Sequence, residues 1–152
     1  MGGLVATLVA MMSWSPHVRH TERCQHVQKA RALAPLVQSA AQITGLAATV
    51  IASVAVTEGG GRLTAVSSAG AVGPMQILPH GRAAYLCKDL RIHRAGDNVV
   101  CGARLLKDAR ARCGGAAGKW LSAYNNYPCG ETNYSRRILA TAARAGVDLN
   151  KE

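Results

Sequence analysis

Phenylalanine is absent from this 152-residue chain, and aromatic residues of all kinds make up only 4% of it. The core must therefore be built from Ala, Val, Leu and Ile, and apolar residues reach 49%. That fraction is typical of a folded domain and not of a disordered chain. Alanine-rich segments without β-branched alternation favour helices, so we predict one all-α domain, or at most an α+β one.

Acidic residues are scarce, with 8 Asp and Glu against 18 Lys and Arg, and the net charge is +10. Such a charge attracts nucleic acid, anionic lipid or an anionic wall polymer. The basic residues are not interleaved with stacking aromatics, and no nucleic-acid-binding motif is present, so no nucleic-acid partner is predicted. A basic surface that is simply solvated accounts for the charge equally well.

The five cysteines contain no CxxC motif, which argues against a zinc ribbon or a thioredoxin-like site. Four of them lie in the second half and indicate disulfides formed in an oxidising compartment. We pair Cys87 with Cys101 and Cys113 with Cys129, because each disulfide then closes a short loop of the chain. The sequence of these four cysteines allows three pairings. Cys24 is left over. The alternative is that all five thiols are reduced and buried.

The N-terminal run from Gly2 to Met12 is apolar, but no basic residue precedes it and no clear cleavage site follows. It is too short to span a bilayer. Three interpretations stay open: an uncleaved anchor, a weak export signal, or a helix docked on a partner. That partner would be a membrane or a larger assembly such as a phage virion.

Residues 13–25 are polar and contain Pro16, so they are predicted to form a linker. We accordingly divide the chain into an N-terminal segment, 1–26, and a folded domain, 27–152. No metal site is predicted, because the spacing of the candidate ligands matches no standard ligand set. Those candidates are His17, His20, Cys24 and His26.

Helical patterns occupy most of the remaining chain. Residues 46–58 are apolar on nearly all sides, which predicts a buried helix. Asp97 or Asn98 is a candidate helix cap. The predicted helices are 27–44, in which Pro35 introduces a kink or a second start, 46–58, one that begins near Pro74, one that ends near Arg112, 116–124 and 131–145.

Glu58 ends the apolar helix and is followed at once by Gly59, Gly60 and Gly61. It is the only carboxylate between Glu22 and Asp89. Apolar surroundings raise the pKa of a carboxyl group and keep it protonated near neutral pH. Glu58 is therefore a candidate general acid at the start of a glycine-rich, irregular or hairpin-like region.

Three later segments supply companions for this acid: the run SSAGAVGPMQ at 67–76, the triplet Ala123-Tyr124-Asn125, and Tyr134. In this order with Glu58 they resemble the SLT-type lytic transglycosylases of the lysozyme-like superfamily. That family has a Glu closing a buried helix, a similar glycine-rich run, an Ala-Tyr-Asn triplet and a late Tyr. The resemblance covers residues 30–145.

The resemblance implies a compact helical lysozyme-like domain with a cleft, and peptidoglycan glycan strands as substrate. It implies that Glu58 is the catalytic acid and that Tyr134 orients it. No cofactor is expected. Met75 and Tyr124 are equally compatible with the core, and Asn125 with a helix cap. The substrate-binding residues that the resemblance implies are Ser67, Gly73, Met75, Gln76, Tyr124 and Asn125.

Glycosidases usually use two carboxylates, but no second one lies beside Glu58 in the sequence. One acid suffices if the muramic acid C6 hydroxyl attacks C1, which gives a 1,6-anhydro product. The cleaved bond would be the β-1,4 link between N-acetylmuramic acid and N-acetylglucosamine, outside the cytoplasm, in the periplasm or from a virion. The alternatives are a goose-type hydrolytic lysozyme and a structural wall-binding component.

Two positions depart from the family pattern. Gly59 stands where the family usually has Ser, and Pro74 stands where it has Leu. Because that Ser helps to position the acid or the sugar, the glycine predicts reduced activity or altered specificity. It also favours the structural alternative, in which the site is degenerate.

Overall fold

The computed structural model describes residues 2–13 and 20–152, with only the backbone of His20 and Thr21. In these residues the chain forms seven helices, and its β-structure is limited to isolated bridges. The predicted all-α class is thereby confirmed. The helices are α1 (Gly2–Met12), α2 (His20–Thr44), α3 (Ala48–Gly59), α4 (Arg82–Leu86), α5 (Ala95–Cys113), α6 (Ala117–Tyr124) and α7 (Asn133–Ala143).

Helix α3 lies at the centre of the domain and packs against α1, α2, α5 and α7. Its residues 50–56 are all buried, as expected for a helix that is apolar on nearly all sides. Gly60 ends the helix in a left-handed conformation, with φ 58°, and its N–H donates to the carbonyl of Val56. Glu58 therefore lies in the last turn, at the edge of the core.

Helix α1 is part of this core. It packs against α2, α3 and α7, and the side chains of Leu8 and Met11 have no exposed surface. Arg144, just after α7, donates to the carbonyl of Met11 at 3.3 Å. The core thus extends across the predicted boundary between residues 1–26 and 27–152. Within the described ranges, no helix is both long enough and apolar enough to cross a membrane.

The predicted linker is helical where the structure describes it, because α2 begins at His20 and continues through Pro35 to Thr44. The linker prediction is therefore wrong for residues 20–25. Proline removes one intrahelical hydrogen bond, yet Pro35 does not end the helix. Leu33 and Val37 on either side of it are fully buried, and most helix stability in proteins comes from such packing.

The helix predicted to begin near Pro74 is absent, and that prediction is wrong. Residues 72–77 instead form a tight turn in which Val72 and Ile77 exchange two backbone hydrogen bonds, at 2.9 and 3.0 Å. Gly73 and Gln76 have φ angles of 75° and 50°, which lie outside the helical region. The irregular region predicted after Glu58 is thus present and is held together by turns.

Two disulfides join the predicted pairs. Cys87–Cys101 connects the end of α4 to α5, and Cys113–Cys129 connects the end of α5 to the turn after α6. Cys24 belongs to neither and is exposed. His17 lies outside the described residues. In the described part of the chain, no three His, Cys, Asp or Glu side chains come together as a group that could hold a metal ion.

Candidate functional site

A cavity of about 320 Å³ opens between the end of α3, the loop after it, α4 and the end of α6. It brings together residues that are far apart in the chain. Glu58 is the only carboxylate among the described residues that line it. Of the eight predicted site residues, five line this cavity: Glu58, Ser67, Gln76, Tyr124 and Asn125.

The environment of Glu58 raises the pKa of its carboxyl group above the usual value of 4.5. The largest cause is burial, which disfavours the charged form. Two smaller effects lower the pKa: a hydrogen bond from Tyr134 and the positive charge of Arg137. Because burial outweighs both, Glu58 holds its proton to a higher pH than an exposed glutamate does.

Tyr134 is buried behind Glu58, with 8% of its surface exposed, and its hydroxyl donates to Glu58 Oε1. Burial and the charge of Glu58 raise the pKa of Tyr134 far above its usual range, so the phenol remains a donor. This hydrogen bond engages one carboxyl oxygen, Oε1, and not the other, Oε2. The orienting role predicted for Tyr134 thus has a geometric basis, although Tyr134 does not line the cavity.

Tyr134 is positioned by the start of α7. A capping box fixes that start: the Thr132 side chain accepts from the Ser135 N–H, and the Ser135 side chain accepts from the Thr132 N–H. The hydroxyls of Thr57 and Thr141 hydrogen-bond at 3.1 Å and join α3 to α7. These contacts hold the two helices in the register that brings Tyr134 to Glu58.

Tyr124 connects the end of α6 to the glycine-rich loop, because its hydroxyl donates to the carbonyl of Met75 at 2.7 Å. Burial first, and the nearby charge of Glu58 second, raise the pKa of Tyr124 well above its usual value. Asn125 is the C-terminal cap residue of α6 and also lines the cavity. The cap alternative for Asn125 is therefore confirmed, and its contact with substrate stays a prediction that its place in the cavity wall permits.

Gln76 and Ser67 lie in the glycine-rich loop that lines the cavity, and their side chains hydrogen-bond to the backbone of that loop. The Gln76 amide nitrogen donates to the carbonyls of Gly73, at 3.0 Å, and Ala65, at 3.3 Å. Both amide hydrogens are thereby used, which leaves only the amide oxygen of Gln76 for a bound ligand. The Ser67 hydroxyl accepts from the Ala71 N–H at 3.1 Å.

Met75 and Gly73 do not line the cavity, so the structure does not support their predicted contact with substrate. Met75 is completely buried in the core, and its thioether end lies against Gly102. Gly73 adopts a φ of 75° and lies against the side chain of Asn98, which leaves no room for a Cβ atom. Both residues shape the loop instead of touching the cavity.

Asn98 organises this loop and was missed as a site residue, since its position suggested a helix cap. It is fully buried inside α5. Its amide oxygen accepts from the Met75 N–H at 2.9 Å, and its nitrogen donates to the carbonyls of Val72 and Ile92, both at 2.8 Å. In the sequence, the only sign of this role is that a polar residue stands just before the apolar pair Val99-Val100.

Gly59 and Pro74, the two positions that depart from the family pattern, are in contact with each other. A Cβ atom added to Gly59 would lie 2.6 Å from the carbonyl oxygen of Pro74 and 3.0 Å from its Cα. Real Cβ atoms do not approach backbone that closely. The loop therefore packs directly on the last turn of α3, and a serine at position 59 does not fit this arrangement.

Comparison with known families gives one match: the family described as the transglycosylase SLT domain matches residues 35–148. Comparisons with curated proteins and with solved structures give no significant match. The matched range contains α3 with Glu58, the glycine-rich loop, α6 and α7. Because this range covers most of the chain, the protein belongs to the transglycosylase SLT domain family.

Proposed function

We propose that this protein is a peptidoglycan lytic transglycosylase that cleaves the β-1,4 bond between N-acetylmuramic acid and N-acetylglucosamine. The observation that carries the proposal is a cavity in which Glu58, whose pKa is raised by burial, is the only carboxylate among the lining residues that the structure describes. Hydrolytic glycosidases usually place two carboxyl groups about 5–10 Å apart across the bond. Asp89, the next carboxylate after Glu58 in the sequence, instead pairs with Arg104, and Asp108 pairs with Arg82 and Arg112.

A single carboxyl group can perform both proton transfers. Protonated Glu58 gives its proton to the glycosidic oxygen as the bond to muramic acid C1 breaks. The C6 hydroxyl of the same sugar then attacks C1, and its proton passes to the Glu58 carboxylate. The products are a 1,6-anhydro sugar and a shortened strand, Glu58 is protonated again, and no water is consumed.

The masses of the released muropeptides test this proposal. Purified peptidoglycan digested in heavy-oxygen water should give products with anhydro-muramic acid ends and no incorporated label, because water is not a reactant. A hydrolytic lysozyme, run in parallel on the same walls, should give labelled reducing ends. Labelled reducing ends from this protein would establish the hydrolytic alternative, and intact walls would favour the structural one.

Tyr134→Phe should lower kcat by about 10- to 100-fold, because a hydrogen bond to a charged group contributes roughly 1.5–3 kcal/mol. That bond stabilises the carboxylate form, so its loss should raise the pKa of Glu58 further. The alkaline limb of the pH–rate profile, where the acid loses its proton, should therefore move to higher pH. An unchanged alkaline limb would show that Tyr134 does not act through Glu58.

Peptidoglycan lies outside the cytoplasm, so the proposed activity requires that the protein act there, in the periplasm or from a phage virion. Two disulfides are consistent with an oxidising compartment. The N-terminal helix α1 keeps Gly2, Gly3 and Ala6 exposed while Leu8 and Met11 are buried. A membrane or assembly partner would therefore meet α1 on the face that is not packed on the domain.

A further inference from the structure

The cavity that holds Glu58 also has a basic end. His80 and Arg82, before and at the start of α4, line the cavity, while Glu58 is the only acid among its described lining residues. The Arg82 side chain is 46% exposed. A substrate in this cavity therefore meets an accessible guanidinium group as well as the candidate catalytic acid.

Asp108 holds this guanidinium group in place. Arg82 donates to both carboxylate oxygens of Asp108 in a forked pair, with Nε–Oδ2 at 2.5 Å. The same carboxylate accepts from Arg112 Nε at 2.8 Å. The hydrogen bond from Arg82 lowers the pKa of Asp108, so the carboxylate is ionised at neutral pH. Two guanidinium groups share one carboxylate, which leaves one positive charge unmatched.

Arg82 also keeps unused donors. A guanidinium group has five N–H donors, and the fork to Asp108 uses two of them. The remaining three can bind a second carboxylate, and the forked geometry matches such a group well. Because Asp108 is only 18% exposed, it anchors Arg82 from the protein side and leaves the outer side to solvent.

We propose that Arg82 forms a subsite for a carboxylate carried on the lactyl branch of muramic acid, a role that rests on the function proposed above. The sugar rings of the glycan are neutral, and its acidic groups are on this branch. The carboxylate belongs either to the attached peptide stem or, when the stem is removed, to the lactyl group itself. The protein would thereby distinguish muramic acid from its neutral neighbour, N-acetylglucosamine.

Three wall preparations test this subsite: intact walls, walls stripped of peptide by an amidase, and walls whose carboxylates are converted to methylamides. Arg82→Gln should raise KM on intact walls by about tenfold, as expected for a lost charge-assisted hydrogen bond, with little change in kcat. On methylamide walls, the wild type and the variant should be equal. If Arg82→Gln still raises KM on stripped walls, the bound carboxylate is that of the lactyl group. If it raises KM only on intact walls, the bound carboxylate belongs to the peptide stem.

Arg112→Gln is the matched control, because Arg112 pairs with the same Asp108 but does not line the cavity. It should change KM less than twofold, and Arg82→Lys should restore part of the binding. Co-sedimentation repeats the comparison without catalysis: Glu58→Gln protein, with and without Arg82→Gln, is mixed with the three wall preparations. This experiment measures binding alone, so it tests the subsite even if the proposed reaction is wrong. Equal losses for Arg82→Gln on all three walls, or no loss on any, would overturn the subsite.

Discussion

Glu58→Gln is expected to lower the rate of glycan cleavage by roughly a thousandfold, in the range that general acid–base catalysis contributes. The amide has nearly the same shape as the carboxyl group, but it can neither give nor accept the proton. Release of anhydro-muropeptides from purified walls measures the effect. Wall binding by the variant should be retained, because the Gln amide oxygen can still accept the hydrogen bond from Tyr134, and the interaction with the Arg137 charge is one of the smaller effects on Glu58.

The same substitution should not destabilise the protein. Burial favours protonated Glu58, so the pKa in the folded state lies above 4.5. The stability that comes with the protonated form is complete below pH 4.5 and is lost as the pH rises through the raised pKa. Above the raised pKa, Glu58→Gln removes a charge that burial disfavours, and below it the amide replaces a neutral carboxyl group of the same shape, so Tm should be equal to that of the wild type or higher.

Glu131→Gln is a suitable control for Glu58→Gln, since it makes the same chemical change at an exposed carboxylate. Glu131 pairs with Arg136 at the surface and does not line the cavity. Loss of an exposed ion pair costs about 0–1 kcal/mol, and activity should be unchanged. Full activity of Glu58→Gln, or an equal loss in both variants, would contradict the catalytic assignment.

Gly59→Ser, which introduces the residue that the family usually has, should impair this protein. The added Cβ would lie 2.6 Å from the Pro74 carbonyl oxygen, and overpacking of this kind costs about 1–3 kcal/mol. To relieve the contact, the loop must move away from α3. That loop supplies the Met75 carbonyl that Tyr124 binds, so activity should fall together with Tm.

Gly59→Ala separates the Cβ contact from any effect of the serine hydroxyl. If the contact with Pro74 is the cause, Ala and Ser should lower Tm and activity equally. Gly96→Ala, in the first turn of α5, adds a Cβ at an ordinary 3.8 Å from Leu36 Cδ2 and should be neutral or stabilising by up to about 1 kcal/mol. Higher activity of Gly59→Ser at an unchanged Tm would instead show that position 59 lacks a useful hydroxyl.

This contact also changes the interpretation of Gly59. From the sequence, the glycine suggested a degenerate site, because a serine is missing. In the structure, Gly59 and Pro74 form one arrangement in which the loop lies directly on the end of α3. Two positions that are 15 residues apart in the sequence are thus in direct contact in space, through the backbone of residue 74.

The local pattern of the sequence was sufficient to predict several elements. The apolar run before Glu58 predicted a buried helix, and α3 is that helix. The disulfide pairs followed from short separations, 14 positions for Cys87–Cys101 and 16 for Cys113–Cys129. These predictions succeeded because hydrophobic periodicity and short loop closure are properties of neighbouring residues.

Other features could not be predicted in this way. Proline is favoured in the first turn of a helix, so Pro74 predicted a helix start, but positive φ angles at Gly73 and Gln76 produce a turn. The residue type made Asn98 a cap candidate, whereas its hydrogen-bond partners, Met75 and Val72, lie 23 and 26 positions earlier in the chain. No local sequence pattern shows that a buried side-chain amide forms hydrogen bonds with the backbone of a distant loop.

The sequence by itself determined that Glu58 closes a buried helix and that family motifs follow it in order. The family resemblance already implied that Tyr134, 76 positions away, orients this acid, but only the tertiary structure places its hydroxyl on Glu58 Oε1 and adds the basic end at Arg82 to the same cavity. The tertiary structure also decided that Met75 and Gly73 support the loop without facing the cavity. The reason is that burial and hydrogen bonding between distant segments depend on how helices pack, which local sequence patterns do not record.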